Sequence, residues 1–141
     1  MKKVSVANYQ KDKFYPRITS AVARILGRKN FVSPIDLFIE MSLLEPESVR
    51  KWKRGETSYL ERAIRCNLAQ ASRILRILRF HAHDLNLAPS QTAYRNGKQP
   101  LQFSKTGEPP LEAAYARHFL VVGKVKSAPK SEAEDTGRDT S

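Results

Sequence analysis

At 141 residues and 40% hydrophobic content, the chain has room for one domain plus tails and enough apolar material for one packed core. A formal net charge of +11 favours polyanions, meaning DNA, RNA or an acidic membrane surface, through counterion release and long-range attraction. One cysteine, Cys66, excludes an internal disulfide and a cysteine-based zinc site, and the absence of any apolar run of spanning length leaves no membrane partner and a cytoplasmic location as the expectation.

Residues 1–13 carry four lysines against one aspartate and read as a flexible basic arm. Phe14 and Tyr15 lead into Pro16, which opens a helix with Ile18, Val22, Ile25 and Leu26 at helical spacing, and Gly27 stops it. Arg28, Lys29 and Asn30 form a short basic loop. Ser33 is placed as an N-cap, with Pro34 at the first helical position, Asp36 near the positive end of the dipole, and Ile35, Phe38, Ile39 and Met41 as the apolar face. The helix stops near Ser42. Pro46 and Glu47 start the next one, in which Val49 and Trp52 face inward while Arg50, Lys51, Lys53 and Arg54 stay in water. Gly55 closes it as a left-handed C-cap.

Val49, Trp52, Arg54 and Gly55, set in this helix-turn-helix rhythm, carry a resemblance over residues 34–61 to the lambda-repressor-like (Xre-type) DNA-binding proteins. The resemblance implies that the second helix of the pair lies in the major groove. Position by position it would turn Glu45, Glu47, Ser48 and Lys51 toward DNA, with Arg54 near the backbone; Arg50 and Lys53 on the wet face of the same helix are further candidate contacts. The bland alternative is a structural helix-turn-helix, since a buried Trp followed by a capping Gly is good packing in its own right.

Ser58 and Glu61 match a capping box, and the spacing predicts the longest helix of the chain from there to about His81. Leu60, Ala63, Ile64, Leu68, Ala71, Ile74, Leu75, Ile77 and Leu78 fill one broad side. Such a width implies either the centre of a bundle or a homodimer interface. Arg62, Arg65, Arg73, Arg76 and Arg79 fall within roughly 120° on the other side. Like charges at this spacing repel, so the stripe points to an anion, and the planar guanidinium fork suits phosphate. Packing against a neighbouring helix, or pairing with glutamates from elsewhere, is the alternative.

His81, His83 and Asp84, with a distant His118, offer metal-ligand chemistry, but two imidazoles two residues apart point about 200° from each other on a helix. They read as a helix end, and no metal or cofactor is expected. Asn96-Gly97 predicts a hairpin between Thr92–Tyr94 and Leu101–Phe103, with Pro100 marking an edge. Residues from Glu112 to Phe119 read as a short final helix running out through Leu120, Val121 and Val122, and 124–141 as a disordered tail. That tail carries four basic and four acidic groups, so the excess charge lies in residues 1–123.

The expected fold is mainly α: a small helical bundle over 14–87 containing the helix-turn-helix, with 88–123 packed on it as a hairpin and terminal helix. There is no Gly-rich phosphate loop, no His-Glu-x-x-His and no nucleophile elbow, so an enzyme with a catalytic residue set is the least favoured class. Three readings stay open: a DNA-binding regulator or accessory protein, an RNA- or ribosome-associated protein using the arginines and the hairpin, and a protein-interaction module or homodimer.

Overall fold

The computed structural model describes residues 5 and 7–122. The first residues of the expected basic arm and the expected disordered tail lie outside the described residues.

Phe14 precedes α1 (Tyr15–Leu26), whose Ile18, Ala21, Val22 and Ile25 are buried. A short strand, β1 (Phe31–Val32), leads to Ser33, whose side chain accepts the Asp36 N–H at 3.0 Å and so caps α2 (Pro34–Glu40). The chain leaves α2 through Ser42 in the left-handed region at φ 63°, and the Leu43 N–H returns to the Phe38 carbonyl at 2.9 Å. Then comes α3 (Pro46–Lys53). It ends in the same way, with Gly55 at φ +83° and the Glu56 N–H on the Lys51 carbonyl at 2.9 Å.

Beyond α3 the chain departs from expectation. Leu60–Ala63 is a single 3-10 turn, Ile64 is extended, and the long helix α4 (Leu68–Asp84) starts afresh at Asn67. The capping box is Asn67 with Gln70, each side chain bonded to the other's backbone N–H. Glu61 does not cap a helix. It is 7% exposed and accepts the Lys105 N–H at 3.0 Å and the Tyr115 hydroxyl at 2.7 Å.

The C-terminal third supplies strands β2 (Ala88–Gln91), β3 (Arg95–Asn96) and β4 (Gln99–Pro100), helix α5 (Pro109–Tyr115) and strand β5 (Arg117–Leu120). β5 is the centre of a three-stranded antiparallel sheet in the order β1-β5-β2, with Phe31 opposite Leu120 and Pro89 opposite Phe119. β3 and β4 form the hairpin at Gly97.

The expectation of a mainly α bundle with an appended hairpin is therefore overturned: five helices and two small sheets among the described residues make a mixed α/β domain. The expected final helix stops at Tyr115, and the run after it pairs with two strands that lie far away in sequence. The broad apolar side of α4 is covered within the chain, because α1 packs on it from one direction and α5 from another. Ala71, Ile74, Leu75, Ile77, Leu78 and Ala82 are buried there, whereas Leu68, expected inside, is 48% exposed. Residues 9–12 are not a free arm either, since Tyr9 is buried, its hydroxyl bonds Asp84, and Asp12 pairs with Arg73.

Candidate nucleic-acid interface

Pro46 sits in the first turn of α3, where its missing N–H costs nothing, and Glu47 lies at the positive end of the dipole. Val49 and Trp52 hold the helix down. Trp52 is fully buried, donates its indole N–H to the Gln102 carbonyl at 2.8 Å, and lies 4.8 Å from the Phe103 ring and 5.8 Å from that of Tyr94. Phe103 in turn stacks on Tyr115 at 5.3 Å. An aromatic column built from the C-terminal third thus fixes the rotation of α3 and forces its other side outward.

That outward side presents Arg50, Lys51, Lys53 and Arg54, all exposed, with Ser48 partly covered. Arg50 pairs with Glu47 at 2.8 Å, and Arg54 with Glu47 at 3.7 Å and Glu56 at 2.7 Å. The Arg50 hydrogen bond lowers the Glu47 carboxyl, and the Arg54 hydrogen bond does the same for Glu56. Each of these pairs stands more than half in solvent, where ion pairs are weak and exchange readily for a better anion. Lys51 and Lys53 join no ion pair among the described residues.

The arginine stripe is not one surface. The break at Leu60–Ile64 separates Arg62 and Arg65 from Arg73, Arg76 and Arg79. Arg65 reaches Glu45 at the start of α3 at 2.6 Å, so it belongs with the α3 surface. Arg73 bonds Asp12, itself almost wholly buried, at 2.6 Å and lies over the Phe14 ring, which makes it a structural tie between the N-terminal turn and α4. Arg76 and Arg79 line a groove of about 330 Å³ between α4 and α5, where they meet Arg117 of β5. Leu75, Leu78, Leu111 and Phe119 form its apolar part, and Glu108 is its one acid. Sequence reasoning missed Arg117 by placing it on a helix. The apolar and β-branched run Phe119-Leu120-Val121-Val122 was the available sign of a strand there.

The histidines do not converge. His81 meets the Tyr15 ring edge-on at 5.9 Å, while His118 lies in another pocket against Tyr94 and Phe31. Among the described residues no group of three or more His, Cys, Asp or Glu is arranged to hold a metal ion, and no helix is long and apolar enough to cross a membrane. Cys66 is half-buried, and burial pushes its thiol up from the ordinary value. The chain matches no protein-family model, no curated protein and no solved structure.

Proposed function

We propose that the protein is a cytoplasmic DNA-binding regulator or accessory factor that lays α3 in the major groove of duplex DNA. One observation carries this reading: α3 is clamped by Val49 and the buried Trp52, so that four cations and Glu47 are exposed to solvent, with the partly covered Ser48 beside them. A rigidly anchored short helix with a cationic outer face meets the steric and electrostatic demands of groove entry. Arg50, Lys53 and Arg54, with Arg62 and Arg65 from the segment beside them, serve as phosphate contacts. Lys51 and Ser48 reach base edges, and Glu47 accepts from a cytosine amino group.

Exposed ion pairs at Glu47 and Glu56 keep the arginines oriented until phosphate oxygens replace the carboxylates. The cost of exchange is small because the pairs are already solvated.

The test is sequence selection from a random duplex pool with the wild type and with Lys51→Ala. The expected result is a defined preferred site that relaxes in Lys51→Ala, with the salt dependence of binding nearly unchanged. Uniform weakening across all sequences would remove Lys51 from base reading.

A further inference from the structure

A second site lies beside the end of α3. The loop before β1, the first turn of α2, the end of α3, residues 92–95 and β5 converge on a pocket of about 380 Å³. Its wall is aromatic. Phe31 stacks on His118 with ring centroids 5.2 Å apart and planes 11° from parallel, and Tyr94 meets the same imidazole edge-on at 5.9 Å. The Tyr94 hydroxyl and His118 Nε2 are 2.7 Å apart. Burial raises the phenol and lowers the imidazole, so the hydrogen bond joins two neutral groups. This bond locks both rings in place.

The charges around the wall are unequally used. Lys29 lies 4.9 Å over the Phe31 ring and is spent on Asp36, at 2.7 Å. Lys53 and Arg95 also line the pocket, and among the described residues neither forms an ion pair. A fixed aromatic wall, a volume in the range of small-molecule sites and two lining cations without an acidic partner, Lys53 lying 6.0 Å over the Tyr94 ring, define a ligand with a flat ring at one end and an anion at the other. Thr92 adds a polar residue to the lining, while the Ser33 hydroxyl oxygen is occupied by the Asp36 N–H.

We propose that this pocket binds a single nucleotide unit, with the base taking the place of Lys29 over the Phe31 ring, beside Tyr94 and His118, and the phosphate held by Lys53 and Arg95. Such a site goes beyond duplex binding and shares only Lys53 with it. A free mononucleotide and an unpaired nucleotide of a strand present the same chemistry, and the experiment separates them.

Trp52 is the chain's single tryptophan, 5.8 Å from the Tyr94 ring, and reports on the pocket by fluorescence. The full-length protein is titrated with adenosine 5′-monophosphate, uridine 5′-monophosphate, adenosine, inorganic phosphate and a short single-stranded oligonucleotide, and calorimetry is run in parallel. Saturable binding of both monophosphates is expected, each at least about tenfold tighter than adenosine or phosphate alone, because base and phosphate contribute separately. Arg95→Ala and Phe31→Leu, each checked for an unchanged melting temperature, are expected to weaken that binding by about tenfold while leaving duplex affinity within about twofold. Oligonucleotide binding tighter than the monophosphates assigns the pocket to a strand, and the reverse to a free nucleotide; either supports the site. No saturable binding of a monophosphate at millimolar concentration by both methods would overturn it. So would equal affinity for inorganic phosphate, or indifference to both variants. Duplex binding lost on changes at Arg50 and Arg54 tests the other proposal independently.

Discussion

Both carboxylate oxygens of Glu61 are spent on distant donors, the Lys105 N–H and the Tyr115 hydroxyl, and Tyr115 is fully buried. Burial, and after it the Glu61 hydrogen bond, raises the Tyr115 phenol, so the hydroxyl stays protonated and donates. Removing the acceptor strands both donors. Glu61→Ala is therefore expected to lower unfolding free energy in urea by about 1–3 kcal/mol for each donor left unpaired, and Glu61→Gln by less. An unchanged urea midpoint in Glu61→Ala would show that solvent reaches these groups.

Two imidazoles make stability depend on pH in a definite direction. Burial lowers His81, and burial also lowers His118, where Asp36 pulls the other way and Lys29 pushes with it. Below the ordinary value of 6.5 the unfolded chain takes up protons that the folded chain refuses. Stability is thus full above that value and falls as pH drops through it toward the folded-state values. The thermal midpoint is expected to drop between about pH 7 and about pH 5, and the drop to shrink in the His81→Gln, His118→Gln double variant. The lowered carboxyls Glu40, Glu47 and Glu56 act below their ordinary value of 4.5, outside this window. An equal slope in wild type and double variant would contradict the assignment.

At the scale of elements, α2 and α3 were legible because their signals are local. Ser33 with Pro34, Pro46, and Gly55 each act within a turn of where they stand. The start of α4 was not legible, because two sites fit the capping-box pattern and only one could be used. Ser58 and Glu61 lost to Asn67 and Gln70 when Glu61 was captured by groups 44 and 54 residues further on. Local pattern cannot see such a competitor. Asn67→Ala is accordingly expected to cost about 0.5–2 kcal/mol and Ser58→Ala close to nothing, both read from chemical denaturation. The reverse order would restore the longer helix. This break also decided the candidate site, since it divided one apparent stripe into Arg62 and Arg65 near α3, a structural Arg73, and a groove pair, Arg76 and Arg79, completed by Arg117.

For the whole molecule, the missed part is the sheet. β1, β2 and β5 have two to four residues each and come from opposite halves of the chain, so none shows a period long enough to read. Their pairing ties the C-terminal third to the core, where Phe103, Tyr115 and Phe119 are buried. Through Phe103, Tyr94 and Tyr115 this third forms the wall that orients Trp52, and so the cationic face of α3 depends on the far end of the chain. Among the described residues the basic groups have a geometry as well as a number: they include a cationic face on α3 and its neighbours, a groove at Arg76, Arg79 and Arg117, and a pocket at Lys53 and Arg95.

The measurement that bears most directly on duplex recognition by α3 is the affinity of the full-length protein for a duplex across a salt series, beside an Arg50→Ala, Arg54→Ala variant. A steep linear fall of log affinity with log salt is expected, with the slope in the variant shallower by about two phosphate contacts, roughly 0.9 each. An equal slope in both proteins, or no duplex binding at low salt, would contradict it.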